Sequence, residues 1–233
     1  TATKLGIQVT FTPLANSNTV AEQTISMLLA LSRNLLYIDR QFRQGNWEIR
    51  NKLQGNDLAG KTLGIAGLGR IGTLVAKKAN AFDMKILAYD PYIDASRIPD
   101  YVTRVNSLEE IFAQSDFVTL HMPFEKKIVG KALFELMKPT AYFLNLSRGE
   151  VVFEEDLIAA LQNKTIAGAA LDVFEPEPPD MLSNPLFKMD NVILTPHNAA
   201  LTKEATMRMA VHAAQGIDEV LTGKSPSWPV NKL

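Results

Sequence analysis

Three glycines between a short apolar run and a helical pattern constrain the fold more than any other feature. The run TLGIA at 62–66 is followed by Gly67, Gly69 and Gly72, spaced as G-x-G-x-x-G, and a helical pattern covers 70–82. The first glycine permits a tight turn, the second lets the backbone approach a pyrophosphate, and the third lets helix and strand pack closely. Free N–H groups at a helix start also favour phosphate. By itself, the spacing is equally typical of a plain strand-to-helix turn.

An acidic residue follows at the distance that a dinucleotide site requires. Asp90 ends the next strand-like run, KILAYD, 21 residues after Gly69. A carboxylate there can accept hydrogen bonds from an adenosine ribose, and it would repel a 2′-phosphate. The residues PYID after it contain no Arg or Lys. Asp90 could instead stabilise a local turn before Pro91. We favour the ribose interpretation, and with it NAD over NADP.

Short β-prone runs alternate with helical stretches from residue 61 onward. The predicted strands are 62–66, 84–89, 116–120, 141–146, 166–171 and 191–195, and the predicted helices are 70–82, 107–114, 131–137 and 153–162. Ser107 and Glu110 have the spacing of a capping box. Such alternation predicts right-handed βαβ units and a parallel sheet covered on both faces. The predicted class is therefore α/β, a Rossmann-type doubly wound parallel sheet.

The segments outside this alternation are predicted to link and close the sheet domain. A helix should start at a second capping box, Thr19 and Glu22, and run to about Phe42. Its apolar positions lie on more than one side, which indicates burial on two sides. The other predicted segments are a strand at 4–12, a loop at 13–18, a polar arm at 43–60, and a helix at 201–222 with an extended tail.

Composition excludes several classes of function. The chain has 24 Lys+Arg against 25 Asp+Glu, a net charge of −1, and no basic field that would attract nucleic acid or a membrane surface. Zero Cys excludes disulfides, thiol catalysis and Cys-based zinc sites, and we predict no metal. No apolar run approaches the roughly 20 residues that span a bilayer, and no signal-peptide pattern is visible. We expect a cytoplasmic protein without nucleic-acid or membrane partners.

Polar side chains follow the last three predicted strands. Arg148 follows the first of these strands, Asp172, Glu175 and Glu177 the second, and His197 the third. Because carboxyl ends of parallel strands meet at one edge of a sheet, these side chains should lie together. Arg can bind a carboxylate in a planar fork, His can transfer a proton, and a paired carboxylate orients the His ring and favours its protonated form. The set suits hydride transfer to a keto acid.

Each of these residues also has a plainer interpretation. Arg148 could form a surface ion pair at a strand end, Glu175 and Glu177 could simply be solvated in a proline-rich loop, and His197 could be an ordinary loop histidine. The chain has two other histidines, His121 and His212, which lie outside this set. His121 ends a strand on the ligand edge, where it could line the adenosine pocket. His212 lies among Ala and Val in the last helix and is expected to be structural or peripheral.

Six stretches, in order and spacing, resemble the D-isomer-specific 2-hydroxyacid dehydrogenases, most nearly the D-3-phosphoglycerate dehydrogenase-like members. They are VAEQTISMLLALSRNL, GKTLGIAGLGRIG, LHMP, FLNLSRGEVV, AGAALDVFEPEPP and NVILTPHNAA. The resemblance implies an NAD-dependent oxidoreductase that transfers a hydride between nicotinamide and a small D-2-hydroxy acid or 2-keto acid. Phosphoglycerate, hydroxypyruvate, glyoxylate and lactate types all fit.

The same resemblance implies roles for individual residues. It implies that Arg148 binds substrate, that Glu177 rather than Glu175 pairs with the catalytic residue, and that His197 is the proton donor and acceptor. Asp172 would hold the nicotinamide carboxamide. The implied cofactor-binding residues are Gly67, Gly69, Arg70, Ile71, Gly72, Asp90, His121, Pro123, Leu146, Ser147, Asp172 and Ala199. The Asn-Ala-Ala after His197 departs from the small residue and glycines of many members.

The resemblance also suggests a domain division and an assembly. The parts are 1–18 as the end of a flavodoxin-like substrate domain, 19–60 as linking helix and arm, 61–200 as the dinucleotide-binding domain, and 201–233 as closing helix and tail. We expect roughly 100 further residues of the substrate domain before Thr1, about one domain's length. A homodimer built on the helix at 20–42 and the arm around Trp47 is expected. The alternative functions are an NAD(H)-sensing, corepressor-like regulator and a catalytically inactive subunit.

Overall fold

Seven parallel strands form one sheet in the computed structural model, which describes residues 1–123 and 126–233. The strands are β1 Thr62–Ala66, β2 Lys85–Tyr89, β3 Val102–Arg104, β4 Phe117–Leu120, β5 Tyr142–Asn145, β6 Gly168–Leu171 and β7 Val192–Leu194. Their order in the sheet is β3-β2-β1-β4-β5-β6-β7. The predicted α/β class and parallel sheet are confirmed. The short edge strand β3 was not predicted, because three residues carry too little alternation to be recognised.

Helices connect and flank the strands. They are α1 Ser17–Ser32, α2 Leu35–Arg43, α3 Ile49–Lys52, α4 Arg70–Asn80, α5 Leu108–Gln114, α6 Lys131–Phe134, α7 Glu154–Gln162 and α8 Lys203–Leu221. The predicted cap of α5 is confirmed, because Ser107 Oγ accepts a hydrogen bond from the Glu110 N–H at 3.2 Å. Glu110 in turn accepts from the Asn106 N–H at 3.2 Å, one residue before the position that a capping box specifies.

The core on one side of the sheet is built around aromatic rings. Phe112, Phe134 and Phe143 are almost fully buried, and the rings of Phe134 and Phe143 meet edge to face at 5.3 Å between centroids. Strands β4 and β6 are buried at every residue, as expected for parallel strands covered on both faces. This packing fixes the carboxyl ends of the central strands, from which the candidate site residues extend.

The strand order reverses at β1, which pairs with β2 on one side and β4 on the other. Open parallel sheets bind ligands at such a reversal, in the crevice outside the carboxyl ends of the strands. The glycine-rich loop begins at Gly67, directly after β1, and so lies at this crevice. The topology therefore supplies a dinucleotide-type crevice independently of the glycine spacing.

The strand predicted at 4–12 is wrong. Residues Thr3–Leu5 form a 3-10 turn that ends at Gly6 with φ 65°, and the segment has only an isolated bridge between Thr10 and Pro229. The backbone of the segment bonds partly to the backbone of residues 228–230, where the Phe11 N–H donates to the Trp228 carbonyl at 3.2 Å, and partly to a side chain. Asn231 accepts from the Val9 N–H at 2.8 Å and donates to the Ile7 carbonyl at 3.0 Å.

The helix predicted from Thr19 to Phe42 is wrong at its start and in its middle. The observed helix α1 begins at Ser17, so Thr19 lies within its first turn. The Thr19 hydroxyl accepts a hydrogen bond from Arg208 at 3.1 Å rather than capping the helix. It ends at Ser32, and α2 begins only after Asn34, which has φ 50°. The Ser32 carbonyl accepts from the Asn56 N–H at 2.7 Å, a contact from the following arm that no local pattern announces.

The chain divides into two compact units, Thr1–Val20 with Ala199–Leu233, and Ala21–Asn198. In the first unit, α8 carries Gly216 against Thr10, whose hydroxyl would lie 2.6 Å from any Cβ at that position. His212 stacks on Trp228 at 4.6 Å between ring centroids. The second unit holds the whole sheet. The four-part domain division stays a prediction.

Candidate active site

The three neighbouring strands β5, β6 and β7 present predicted catalytic and cofactor-binding residues at their carboxyl ends. Arg148 lies three residues after β5, Asp172 directly after β6 and His197 three residues after β7. All three strands belong to the second unit and pair in register with one another. The predicted convergence of an arginine, an aspartate and a histidine at one edge is therefore present.

His197 and Glu177 form a close pair. The Nδ1 atom of His197 lies 2.6 Å from Oε2 of Glu177, with 49% of the His197 side chain and 35% of the Glu177 side chain exposed. Because an ionised carboxylate can only accept, Nδ1 carries the proton and donates it. The opposite ring nitrogen, Nε2, is then the atom that can exchange a proton with a ligand.

The Glu177 carboxylate is held at both oxygens. Oε1 accepts from the Phe174 N–H at 3.0 Å while Oε2 accepts from His197. Burial acts to raise the pKa of Glu177, but these two hydrogen bonds and the charges of His197 and Arg148 outweigh it and keep that pKa below its ordinary value. Glu177 is thus ionised at neutral pH, and a negative charge adjoins the imidazole.

Glu175, the competing carboxylate, has a different partner. Its Oε2 atom lies 2.5 Å from Nζ of Lys127, which also lies over the Phe153 ring at 5.7 Å from the centroid. The hydrogen bond to Glu175 raises the pKa of Lys127. Within the described residues, the structure therefore brings Glu177 and not Glu175 to His197.

The turn that carries Arg148 is organised by a residue that the sequence analysis missed. Asn145, which is almost fully buried, accepts from the Ser147 N–H at 3.0 Å and donates to the Arg148 carbonyl at 2.9 Å. Gly149 packs so closely on Phe174 that a Cβ would lie 2.0 Å from its carbonyl oxygen. The Arg148 guanidinium donates to the Ser147 carbonyl at 2.7 Å, which leaves further N–H groups in its fork for a carboxylate ligand.

Asp172 is a buried carboxylate between β6 and β7, only 1% exposed. Its Oδ1 atom accepts from the Thr195 hydroxyl at 2.5 Å and from the Asn198 N–H at 3.0 Å. Both partners flank His197, which has φ 49°. The structure therefore places the residue predicted to hold the nicotinamide carboxamide in direct contact with the turn that carries His197.

The glycine loop has the shape that its spacing predicts. Gly67 has φ 94° and donates to the Tyr89 carbonyl at 2.8 Å. A Cβ on Gly72 would lie 2.1 Å from the Gly67 carbonyl oxygen, so the third glycine is needed for close packing. A Cβ on Gly69 would meet no described heavy atom within 4 Å. The second glycine thus borders open space at the start of α4, and this cradle fits a pyrophosphate.

Asp90 connects the loop to the turn after β2. Its Oδ2 atom accepts from the Leu68 N–H at 2.9 Å, and its Oδ1 atom accepts from the Tyr92 and Ile93 N–H groups at 2.9 and 3.1 Å. The local turn role considered from the sequence is therefore real. It is compatible with the predicted ribose role, because each carboxylate oxygen has more than one lone pair.

A cavity of about 370 Å³ borders Asp90 and the glycine loop. Its lining includes five of the predicted cofactor residues, Gly67, Gly69, Asp90, His121 and Pro123, together with Tyr89, Pro91, Tyr92, Leu108, Met122, Lys126 and Ile128. Lys126 is a cation that was not predicted, because it lies far from Asp90 in sequence and only the fold brings it to the same cavity. Its proximity in sequence to Pro123 was the available signal.

The remaining predicted cofactor residues lie outside that cavity. Arg70 and Ile71 form the first turn of α4 beside the glycine loop. Leu146 and Ser147 are buried after β5, where the Ser147 hydroxyl donates to Asn145 at 2.9 Å. Ala199, also buried, belongs to the first compact unit. Their roles toward a cofactor stay predictions.

His121 presents an unsatisfied ring nitrogen near the cavity. Its Nε2 atom lies 3.0 Å from the Thr119 hydroxyl, whereas Nδ1 is inaccessible to solvent and has no hydrogen-bond partner in the described part of the chain. Burial lowers the pKa of His121 to about 3, so the ring is neutral at physiological pH. A buried polar atom without a partner beside a cradle for phosphates is what a ligand-binding site provides.

Acidification should destabilise the protein through His121. The unfolded chain binds a proton at the ordinary histidine pKa of about 6.5, whereas the folded state does not until about pH 3. Stability therefore falls as pH drops below 6.5, by about 2 kcal/mol at pH 5. We expect the urea midpoint of the wild type to fall more between pH 7 and pH 5 than that of His121→Gln. Equal losses in both proteins would contradict this assignment.

Gly69→Ala should weaken NADH binding without affecting stability. The residue has φ −71°, which any L-residue adopts, and a Cβ would point into open space where a pyrophosphate would lie. We expect NADH to bind at least about tenfold more weakly, or about 1.4 kcal/mol, with an unchanged urea midpoint. Fluorescence titration measures the affinity. Gly72→Ala is the contrasting variant, because its Cβ clash should unfold the protein; unchanged NADH affinity in Gly69→Ala would refute the cradle.

The described residues also bear on membrane spans and metal sites. Across residues 1–123 and 126–233, no helix combines the length and apolar character needed to cross a bilayer. Over the same residues, no three His, Cys, Asp or Glu side chains converge in a way that could hold a metal ion.

A comparison with known protein families shows to which family the chain belongs. Residues 25–199 match the model of the D-isomer specific 2-hydroxyacid dehydrogenase, NAD binding domain. The chain belongs to this family. The match covers the entire sheet, including the glycine loop and the positions of Arg148, Glu177 and His197.

Individual relatives carry different names. The chain is 43% identical over 242 residues to a glyoxylate reductase of Thermofilum pendens, covering 99% of this chain and 70% of the relative. It is 40% identical over 225 residues to a D-3-phosphoglycerate dehydrogenase of Archaeoglobus fulgidus, covering 95% of this chain but only 42% of that relative. The solved structure of a D-2-hydroxyisocaproate dehydrogenase superposes with a TM-score of 0.91 at 30% identity, covering 99% of this chain and 74% of that one.

These matches confirm the predicted family, the Rossmann-type fold and NAD as the cofactor of this domain. They also show that the chain spans less than half of the phosphoglycerate dehydrogenase and about 70% of the glyoxylate reductase. Relatives with different named substrates share the same stretch of sequence.

Proposed function

We propose that this chain is the cofactor-binding and proton-transferring part of an NAD-dependent enzyme that interconverts a small 2-keto acid and a D-2-hydroxy acid. The observation that carries the proposal is the 2.6 Å contact between His197 Nδ1 and Glu177 at the carboxyl edge of the sheet. It joins a titratable acid to a fixed anion beside an arginine fork and a dinucleotide cradle. A binding protein would need the cradle alone.

Each residue of the site has its own role in the reduction of a keto acid. The glycine loop and Asp90 would hold NADH, which when bound would supply the hydride for the carbonyl carbon. Arg148 binds the substrate carboxylate through its planar fork and so orients the ketone. His197 donates its Nε2 proton to the carbonyl oxygen, while Glu177 stabilises the protonated ring beforehand and fixes its orientation through Nδ1. In the oxidative direction, neutral His197 accepts that proton.

The preference for NAD over NADP is part of the proposal. The Asp90 carboxylate at the cavity supports it, because a 2′-phosphate would face a negative charge. Lys126 in the same cavity lining acts in the opposite direction, since its ammonium group could partly offset that repulsion. We therefore propose a preference for NADH that is moderate rather than absolute.

A substrate panel tests the proposed function. Oxidation of NADH is followed by absorbance with glyoxylate, hydroxypyruvate, phosphohydroxypyruvate and pyruvate, at equal concentrations. We expect reduction of at least one of these acids, and faster reduction with NADH than with NADPH. Binding of NADH without turnover of any acid, by a protein that includes the substrate domain of the relatives, would favour the alternative of an NAD(H)-sensing regulator.

Glu177→Gln should slow keto-acid reduction. Glutamine keeps the shape of the side chain but removes the carboxylate that accepts from His197 Nδ1 at 2.6 Å and fixes the orientation of the ring. Initial rates of NADH oxidation measure the loss. Glu175→Gln is the matched control, because Glu175 pairs with Lys127 and its loss should leave the rate unchanged. A loss in the control alone would transfer the pairing role to Glu175.

We further propose a cytoplasmic homodimer. The support for an assembly is the set of exposed apolar side chains on α2 and the arm after it, namely Leu35, Leu36, Phe42 and Trp47. Exposed apolar clusters of this kind mark interaction sites. Light scattering at micromolar concentration should give twice the chain mass, and a monomer would contradict the proposal.

A further inference from the structure

His197 occupies a backbone conformation that its surroundings must maintain. Its φ of 49° lies in the left-handed region, which residues other than glycine adopt rarely and at a cost in free energy. A single local hydrogen bond from the His197 N–H to the Thr195 carbonyl, at 3.0 Å, closes the turn. Such a conformation persists only where neighbouring contacts over-determine it.

Those contacts converge on one buried oxygen. Oδ1 of Asp172 accepts from the Thr195 hydroxyl at 2.5 Å and from the Asn198 N–H at 3.0 Å. The first partner lies two residues before His197 and the second lies one residue after it. Asp172 itself is 1% exposed, and its own N–H donates to the Asn145 carbonyl at 3.0 Å, so the anchoring carboxylate is fixed to the sheet.

The ring of His197 depends on this arrangement for its partner. Its Nδ1 atom meets Glu177 at 2.6 Å, although half of the side chain is exposed and little packing holds it. Glu177 is fixed separately, by the Phe174 N–H at 3.0 Å. The direction in which the backbone of the 195–198 turn presents the ring therefore decides whether the pair forms.

We infer that Thr195 is a positioning residue, whose hydroxyl ties the 195–198 turn to Asp172 and thereby presents His197 to Glu177 and to substrate. The part of this inference that concerns turnover depends on the proposed function, whereas the part that concerns the His197–Glu177 pair does not. Asp172 then supports the proton-transfer group in addition to any contact with a cofactor.

The test replaces Thr195 by valine, which keeps the shape and removes the hydroxyl, and by serine, which keeps the hydroxyl. Thr103→Val, at an exposed position of β3, is the matched control. Ring-nitrogen chemical shifts of the 233-residue chain, recorded at a pH where the rings are neutral, report which nitrogen carries the proton. The chain has only three histidines, so His121→Gln and His212→Gln assign the signals.

We expect the Nδ1–H form of His197 in the wild type, in Thr195→Ser and in the control, and the Nε2–H form that free imidazole prefers in Thr195→Val. Where keto-acid reduction is measurable, Thr195→Val should lower kcat roughly 10²-fold, and serine should restore most of it. An unchanged His197 tautomer in Thr195→Val would overturn the inference, whether or not any keto acid is reduced.

A second measurement covers the case in which Thr195→Val does not fold. The Asn198 amide hydrogen of the wild type should exchange slowly with solvent, because it is bonded to the buried Asp172. Exchange of this hydrogen at the rate of an unprotected amide would show that Asp172 does not hold the 195–198 turn. That result would overturn the inference without any variant.

Discussion

Replacement of His197 by alanine is expected to slow keto-acid reduction by roughly 10²–10⁴-fold. The loss corresponds to about 3–5 kcal/mol of activation free energy. The reason is that alanine removes the proton donor, while Glu177 stays ionised and cannot donate in its place. NADH affinity should change little, because the glycine loop and Asp90 lie at other strands of the sheet. Steady-state kinetics and fluorescence titration of NADH measure the two quantities on one preparation.

His212→Ala is the matched control for this prediction. It makes the same substitution at a histidine of α8 that stacks on Trp228 and lies outside the second unit. Its turnover should stay close to that of the wild type. Near-normal turnover of His197→Ala would mean that another group or water carries the proton, and the proposed role of His197 would be wrong.

Asp90→Ala is expected to weaken NADH binding by roughly 10- to 150-fold. The estimate follows from the loss of charge-assisted hydrogen bonds to a ribose, worth about 1.5–3 kcal/mol together. Part of the effect would come from the Leu68 N–H, which loses its acceptor at 2.9 Å and frees the glycine loop. The affinity for NADPH should fall less, because the 2′-phosphate no longer meets a carboxylate and Lys126 remains in the cavity lining. Titration with both cofactors measures the ratio.

Asp94→Ala separates the ribose role from a general loss of turn structure. Asp94 also accepts from a backbone N–H of its own turn, that of Ser96 at 2.9 Å, but it does not line the cavity. Both cofactors should bind this variant as they bind the wild type. If the wild type shows no preference for NADH over NADPH, or if Asp94→Ala reproduces the change in cofactor ratio, the ribose assignment fails.

The sheet could be predicted because its signals are local and repeated. Each central strand is an apolar run between turn residues, and the α5 cap requires only Ser107 and the Glu110 N–H. Such signals are independent of the rest of the chain. The edge strand β3 was missed for the opposite reason. It owes its extended form to the pairing of Val102 with Ile86 across the sheet.

Two predicted elements, the helix from Thr19 to Phe42 and the strand at 4–12, are wrong where contacts with distant residues replace local ones. Apolar periodicity continues through Asn34, yet the helix stops because the arm bonds to the Ser32 carbonyl. The β-prone run at 4–12 has the composition of a strand, yet it forms a single bridge, between Thr10 and Pro229, and part of its backbone bonds to the Asn231 side chain. Neither partner, Asn56 or Asn231, can be recognised from the residues that adjoin these elements in sequence.

The same distinction between local and distant signals applies to the residues of the candidate site. Arg148, Asp172 and His197 could be found because each follows a strand, and topology brings the strand ends together. Thr195 and Lys126 were not predicted, since Thr195 acts through the distant residue Asp172 and Lys126 joins the site only through the shape of a cavity. Asn145 was missed although its partners Ser147 and Arg148 are close in sequence, because its apolar neighbours mark it only as part of a buried strand. The choice between Glu175 and Glu177 required the family motif, because only the structure shows Lys127 beside Glu175.

The hydrogen bond from the Val9 N–H to the Asn231 side chain imposes an order on how the protein folds. During synthesis Val9 emerges before any strand of the sheet, whereas Asn231 emerges after all seven. The sheet unit can fold as its strands appear, but Thr1–Val20 must wait for residues from the other end of the chain, and contacts of such long separation form slowly. Until then the backbone groups of Val9 and Ile7 lack their Asn231 partner, so this segment acquires its native hydrogen bonds after the strands of the sheet have been synthesised.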